Sequence, residues 1–150
     1  MKQEIISENN FEKARKAIRA AEGKEIIFFS SDDELNRKIL EKEKIDILLL
    51  NLAGRKDKMK QRDSGLNQIL AKLAKKNNVA IGINLDEIIT AKTPKEKAKI
   101  LARVRQNIAL CAKNKVKMKF VGKSKKDAYD LKTLGLSLGM PTWMTSSLNN

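Results

Sequence analysis

Two short apolar segments limit the fold of this chain more than any other feature of its sequence. Residues 45–52 read IDILLLNL and residues 79–85 read VAIGINL. Both are nearly continuous runs of aliphatic residues, many of them β-branched, and such runs are typical of strands that are buried on both faces of a parallel sheet. The sequence therefore predicts at least two central strands of a parallel sheet.

The segment between these two strands has the pattern of an amphipathic helix. Asp63 and Ser64 are predicted to accept hydrogen bonds from the first helical turn, and Asn77-Asn78 is predicted to end the helix. Apolar residues follow at helical spacing and predict one buried stripe: Leu66, Ile69, Leu70, Leu73 and Ala74. A strand, a helix and a second strand result.

The rest of the chain repeats this unit. Further strands are predicted at residues 2–7, 25–30 and 116–121. Helix starts are predicted at Asn9-Asn10, at the capping box 31–34, at Thr93-Pro94 with Glu96, and at Ser124. The order β-α-β-α-β-α-β-α-β-α predicts an α/β fold with a mostly parallel sheet and right-handed crossovers. Either an open doubly wound sheet or part of a β/α barrel fits, and five or six strands favour an incomplete barrel.

Composition narrows the class of protein. The chain has 150 residues, of which 41% are hydrophobic, so we expect one α/β domain over residues 1–150. It has one cysteine, no signal-peptide pattern and no apolar run long enough to span a bilayer, which predicts a soluble cytoplasmic protein without a membrane partner. Histidine is absent, which removes the commonest general base and metal ligand.

The charge is strongly basic and unevenly distributed. The net charge is +14 and the pI is about 9.9. Residues 1–50 hold ten basic and eleven acidic residues, whereas residues 51–150 hold 22 basic and seven acidic residues. A polyanionic partner, most simply a nucleic acid, is indicated.

Much of this surplus lies in two loops that follow predicted strands. Parallel strands end at the same edge of a sheet, where α/β folds bind their ligands, so we expect the two loops to share one face. The candidate RNA-binding residues are Arg55, Lys56, Lys58, Lys60, Arg62, Lys123, Lys125 and Lys126. Other lysines, such as Lys95, Lys97, Lys99, Lys113 and Lys115, are read as solvated helix surface. Because the chain has only six aromatic rings, contacts to phosphate and to folded RNA shape are expected rather than base stacking.

No pattern for independent catalysis stands out. Cys111 falls on an apolar helix stripe and is predicted to be a core residue rather than a nucleophile. The neighbours Asp86 and Glu87 could bind a metal, but capping of a turn or helix is the favoured interpretation. Asp63 is predicted to be a cap or an anchor for the nearby arginines. No catalytic, cofactor-binding or metal-binding residue is predicted.

Three stretches together resemble a known family. They are residues 45–85 (IDILLLNLAGRKDKMKQRDSGLNQILAKLAKKNNVAIGINL), residues 103–124 (RVRQNIALCAKNKVKMKFVGKS) and residues 130–140 (DLKTLGLSLGM). Their order is similar to that in the archaeal ribonuclease P protein component 3 family, and the resemblance is clearest over residues 44–140. The part before Ile45 is shorter than in that family, the loop between Gly122 and Asp130 is contracted, and the strand and helix that follow Met140 in the family are missing.

This resemblance implies a fold and a function. The implied fold is TIM-barrel-like and related to the PHP phosphoesterases, here as a reduced barrel. The implied function is that of a subunit of the ribonucleoprotein endonuclease that removes the 5′ leader from precursor tRNA. The RNA carries the active site and is expected to need Mg²⁺, while the protein binds no cofactor itself. The implied partners are ribonuclease P RNA, precursor tRNA and other protein subunits, in particular a small partner subunit in a heteromeric complex.

Two alternatives remain open from the residues. One is an RNA-associated or ribosome-associated scaffold, which the basic charge alone would also fit. The other is a PHP-like, metal-dependent phosphoesterase that uses acidic side chains: Asp46, Asp63, Asp86 and Glu87. The absence of histidine disfavours this second alternative.

Overall fold

A computed structural model of the chain describes residues 2–123, 126–146 and 148. Within those ranges the chain forms five strands and seven helices. In order they are β1 (Gln3–Ser7), α1 (Phe11–Ala20), β2 (Glu25–Phe29), α2 (Asp33–Lys42), β3 (Ile47–Leu50), α3 (Gln68–Lys76), β4 (Ala80–Asn84), α4 (Leu85–Thr90), α5 (Pro94–Asn114), β5 (Met118–Val121), α6 (Ala128–Ser137) and α7 (Thr142–Thr145).

The five strands form one parallel sheet in the sequential order β1-β2-β3-β4-β5. Right-handed crossovers between sequential parallel strands place every connecting helix on the same face of the sheet. A doubly wound sheet instead reverses its strand order and carries helices on both faces. The order observed therefore confirms the predicted α/β fold and selects the reduced barrel over the doubly wound alternative.

Alternate residues of the central strands β2, β3 and β4 face two different apolar clusters. Phe28, Leu48 and Ile81 point outward and pack with the buried residues of the helices. Their neighbours Ile27 and Ile47 point to the opposite, inner face, where they join a second and smaller cluster. β3 and β4 are thus buried on both faces, as their nearly continuous apolar sequences predict, while the edge strands β1 and β5 are more exposed.

The sheet is curved around its inner face. Lys119 on β5 and Glu25 on β2 approach to 4.0 Å between Nζ and Oε1, although two strands lie between them. Gly82 on β4 leaves the room that this curvature needs, because a Cβ there would stand 2.9 Å from Cγ2 of Ile47. The inner face resembles the interior of a barrel segment that is filled by its own side chains.

Two predicted helix starts are confirmed and three differ. Asn10 caps α1, and the Thr93 hydroxyl accepts the Glu96 N–H at 3.1 Å with Pro94 at the first position of α5. The cap of α2 is Asp32 rather than Ser31, and its carboxylate accepts two backbone N–H groups. α6 begins at Ala128, and Ser124, which was predicted to start it, lies outside the described residues.

The third difference is the start of α3. This helix begins at Gln68 with Asn67 as its cap, so Asp63 and Ser64 do not cap it. Ile69 was predicted to lie on the buried stripe, but 55% of this residue is exposed, whereas Leu70 and Ala74 are buried. Leu66 precedes the helix and is nevertheless buried. The sequence pattern was therefore wrong for Ile69, and it began the helix too early because two competing cap sequences follow each other.

Candidate functional site

The two basic loops lie at the carboxyl edge of the sheet. The first basic loop, residues 51–66, follows β3, and the second basic loop, residues 122–127, follows β5, with β4 between the two strands. Residues 124 and 125 of the second loop, and with them the candidate Lys125, lie outside the described residues. The structure confirms that the two loops leave the same edge of the sheet.

The first turn of α4 binds both loops. Glu87 accepts the backbone N–H groups of Leu52 and Ala53 at 2.9 and 3.3 Å. Asp86 accepts the N–H of Lys123 at 3.1 Å through Oδ2. Adjacent carboxylates on a helix point in different directions, and here each direction leads to one basic loop. The predicted structural role of this acidic pair is confirmed, and the pair fixes the two loops relative to each other.

Arg55 lies inside the first basic loop rather than on its surface. Its Nε donates to the carbonyl of Asn51 at 2.6 Å, and its Nη1 lies 3.1 Å from Asp33 and 3.2 Å from Asp63. Only 11% of the Arg55 side chain is exposed. Gly65 completes this arrangement, because its φ is +74° and a Cβ there would stand 2.5 Å from Nη2 of Arg55. The predicted role of Asp63 as an arginine anchor is confirmed.

Arg103 holds the base of the same loop from α5. Its Nη1 donates to the Leu52 carbonyl at 3.0 Å, and its Nη2 donates to the Arg55 carbonyl at 2.7 Å and to the Asp57 carboxylate at 3.0 Å. The Asp57 carboxylate also accepts the N–H of Asp63 at 2.9 Å. That backbone hydrogen bond, followed by the Arg103 hydrogen bond, lowers the pKa of Asp57 below its ordinary value of 3.8.

Two further side chains of α5 bind the end of the loop. The amide of Gln106 donates to the Arg62 carbonyl at 3.0 Å and to the Ser64 hydroxyl at 3.2 Å. The buried amide of Asn107 donates to the Ser64 carbonyl at 3.1 Å. One face of α5 therefore binds the first basic loop on both sides of its tip, at residues 52–57 and at residues 62–64.

The tip of the first basic loop is a short hairpin. Lys58 and Gln61 exchange backbone hydrogen bonds of 2.9 and 3.0 Å, and Lys60 has a φ of +65° in the turn between them. Met59 stands at this tip with 93% of its surface exposed. Within the described part of the chain, the ammonium groups of Lys56, Lys58 and Lys60 make no hydrogen bond or ion pair, so the tip presents cations to solvent.

The other predicted residues are also exposed at this edge. Arg62 and Lys58 line a small cavity of about 190 Å³ between the hairpin and the start of α3. Lys123 and Lys126 lie on the second basic loop with exposed side chains. Of the described candidates, only Arg55 has its charged group satisfied inside the protein. The RNA-binding role of the set stays a prediction.

Sequence reasoning missed Arg103 and Asn107. Both occupy the buried side of α5, on the same stripe as Val104, Ile108 and Cys111. A polar side chain at a stripe position is expensive to bury unless it has partners, and this is the sequence signal that could have identified them. Their partners are more than 40 residues away in the chain, so periodicity alone does not reveal them.

The acidic side chains named for a phosphoesterase do not form one site. Asp46 lies at the amino edge of the sheet, where its carboxylate accepts the N–H of Ile26 at 2.7 Å, while Asp86 and Glu87 lie at the carboxyl edge. In the ranges that the structure describes, no group of three histidine, cysteine or acidic residues is placed to hold a metal ion. Cys111 is buried, which confirms its predicted place in the core, and this burial raises the pKa of its thiol to about 12.

None of the helices formed by the described residues is both long and apolar enough to cross a bilayer. α5 is the longest, with 21 residues, and charged residues recur along it.

The fold and its carboxyl edge define a class of protein. It is an α/β protein on a curved, sequential parallel sheet, with two basic loops fixed at one edge by internal carboxylates and arginines. A comparison with solved structures gives the same fold: a chain in the cryo-EM structure of archaeal ribonuclease P with mature tRNA matches with a TM-score of 0.75 at 23% identity, covering 95% of this chain and 62% of that chain.

Sequence comparison then identifies the particular proteins that this chain resembles. Ribonuclease P protein component 3 from Methanococcus maripaludis strain C7 is 28% identical over 145 residues, which are 95% of this chain and 59% of that relative. The protein of the same name from Methanosarcina acetivorans is 32% identical over 93 residues, which are 62% of this chain and 36% of the relative. No family model matches the sequence. The predicted resemblance is confirmed, and the chain spans about three-fifths of the length of the Methanococcus relative.

Proposed function

We propose that this chain is a protein subunit of ribonuclease P, the ribonucleoprotein that cleaves the 5′ leader from precursor tRNA. In this role its basic loops neutralise phosphates and support the folded catalytic RNA. The RNA carries out the cleavage, and the chain contributes binding rather than catalytic groups. Its activity as an endonuclease is then a property of the whole particle.

The observation that carries the proposal is a basic carboxyl edge on a chain similar to component 3 along nearly its whole length. The backbone of each basic loop is bonded to α4, so the two loops begin from fixed positions at the same edge of the sheet. Loops that are held at one edge present their cations to one face of a ligand, which favours recognition of a folded RNA of defined shape. An unstructured basic tail would not give this selectivity.

The proposal includes the partners and the environment of the chain. Ribonuclease P RNA and precursor tRNA are the nucleic-acid partners, and a small protein subunit is the partner in a heteromeric complex. Mg²⁺ belongs to the RNA, and the protein needs no cofactor of its own. The complex works in the cytoplasm.

Capture of RNA from an archaeal cell extract tests the proposal. The purified chain is immobilised, and the bound RNA is sequenced against a matrix that carries the charge-reduced variant Lys56→Ala/Lys58→Ala/Lys60→Ala. We expect ribonuclease P RNA to be enriched in the RNA that binds the wild-type chain, and to be less enriched in the RNA that binds the variant. Enrichment of ribosomal RNA instead would support the scaffold alternative and contradict the proposal.

A further inference from the structure

We propose that a second phosphate-binding surface lies at the amino edge of the sheet, opposite the two basic loops. The surface is a cavity of about 270 Å³ between the turn that joins α3 to β4 and the turn that joins α5 to β5. The ligand of this surface is a phosphate of folded RNA, and in this respect the inference rests on the proposed function. The RNA would then contact the protein at a second place, on the opposite edge of the sheet.

Cations outnumber anions in this cavity. Four lysines and two acidic residues line it: Lys75, Lys115, Lys117, Lys119, Glu25 and Asp46. Glu25 pairs with Lys119 at 4.0 Å, whereas Asp46 accepts the neutral Ile26 N–H at 2.7 Å and keeps its charge. The lining therefore has a positive net charge, which attracts an anion from outside.

Two of the lysines are free to bind. Over the described residues, the ammonium groups of Lys75 and Lys117 have no hydrogen-bond or ion-pair partner. Lys115 lies with its Nζ 5.7 Å from the ring centre of Trp143, so its charge already interacts with that ring. Asn78 also lines the cavity and carries a neutral amide donor. Ammonium and amide donors around a small cavity suit a phosphate group.

Stabilisation of helix ends explains only part of this cluster. Lysines in the last turn of a helix interact favourably with its dipole, which accounts for Lys75 at the end of α3. Lys117 and Lys119 lie beyond the end of α5, on the approach to β5 and within it. The dipole of α5 does not require them, and Lys117 extends into solvent.

The location of the cavity determines the kind of RNA that can use it. Strands of four or five residues separate the two edges by about 15 Å, at roughly 3.3 Å for each residue. A ligand that contacts both edges must therefore present phosphates on two sides of the protein. A folded RNA provides such phosphates, and the protein would bridge two of its segments.

Nuclear magnetic resonance with inorganic phosphate tests the cavity directly. Phosphate is titrated into the wild-type chain at constant ionic strength, with chloride as the reference anion. We expect saturable shifts of the backbone amide signals of Asn78 and Lys117, and loss of these shifts in Lys75→Ala/Lys117→Ala. The absence of saturable shifts in the wild-type chain would overturn the inference.

Binding to ribonuclease P RNA tests whether RNA uses the cavity. The affinities of the wild-type chain, of Lys75→Ala/Lys117→Ala and of the control Lys13→Ala/Lys16→Ala are measured over a range of salt concentrations. The control removes the same charge from exposed positions on α1. Log affinity decreases with log salt, and we expect this negative slope to become less steep by about 2 in the first variant, about 1 for each lysine. In the control the slope should stay unchanged.

The outcomes separate this inference from the proposed function. If the wild-type chain binds the RNA and the two variants have equal slopes, the second surface is overturned and the function stands. If phosphate shifts the signals but the slopes are equal, the cavity holds an anion that RNA does not supply, and the inference fails in the same way. If the wild-type chain shows no salt-dependent binding to ribonuclease P RNA, the proposed function itself is contradicted.

Discussion

Nη2 of Arg103 lies 3.0 Å from Oδ1 of Asp57 and joins the middle of α5 to the first basic loop across 46 residues of sequence. Arg103 is buried, with 4% of its side chain exposed, while 47% of the Asp57 side chain is exposed. The same guanidinium donates to the carbonyls of Leu52 and Arg55. One buried cation therefore determines the path of the loop that presents the exposed lysines.

Replacement of Arg103 should release the loop. Arg103→Lys keeps the charge but loses the forked geometry that reaches two carbonyls and one carboxylate. We expect the free energy of unfolding in urea to fall by about 2–3 kcal/mol, because buried acceptors lose charged donors. Arg105→Lys, at an exposed position on the same helix, is the control and should change the free energy by less than about 0.5 kcal/mol. Equal effects of the two substitutions would contradict the role assigned to Arg103.

Arg55 and Lys58 should respond differently to substitution by alanine. Arg55→Ala removes two ion pairs and a bond to a carbonyl, so we expect a loss of about 1–2 kcal/mol of unfolding free energy. Lys58→Ala should leave stability within about 0.5 kcal/mol and lower the salt slope of RNA binding by about 1. Urea unfolding and RNA titrations measure the two effects. A Lys58→Ala protein that unfolds more easily but binds RNA as before would reverse the assignment.

Asp57 should make stability depend on pH in the acid range. Its pKa in the folded protein is below the ordinary value of 3.8, so the folded state favours the ionised form. The stability that Asp57 contributes is therefore fully present above pH 3.8, and it is lost as the pH falls through the pKa of the folded state. The difference in unfolding free energy between the wild-type chain and Asp57→Asn should shrink on acidification. A difference that grows as the pH falls would contradict this linkage.

Neighbouring residues of α3 offer a matched pair for the core. Leu70→Ala removes a buried side chain and should cost about 2–5 kcal/mol of unfolding free energy. Ile69→Ala removes an exposed side chain of similar size and should change stability by less than about 1 kcal/mol. Urea unfolding of both variants measures the difference. Comparable losses would contradict the orientation of α3, in which Leu70 faces the core and Ile69 faces solvent.

The order of elements in this fold was predictable because local signals specify it. Apolar runs identified β3 and β4, and Thr93-Pro94 marked the start of α5 at the correct residue. The common edge of the two basic loops followed from parallel topology alone. These features depend on neighbouring residues or on general rules of chain connection.

The internal structure of the basic edge was not predictable in the same way. Arg55 was expected to contact RNA, because nothing near it in sequence shows that Asp33 of α2, 22 residues earlier, approaches its guanidinium. Arg103 of α5 was missed for the same reason, since its partners lie in the first basic loop, more than 40 residues earlier. Long-range ion pairs decide which cations of a basic segment are available to a ligand, and only the folded chain brings their partners together.

Reconstitution of the particle tests the proposed function most directly. Ribonuclease P RNA and the other protein subunits are combined with precursor tRNA, with and without the wild-type chain, and release of the 5′ leader is measured at limiting Mg²⁺. We expect the chain to increase the cleavage rate, and Lys56→Ala/Lys58→Ala/Lys60→Ala to increase it less at equal stability. A cleavage rate that is the same with and without the chain would contradict its role as a subunit of the enzyme.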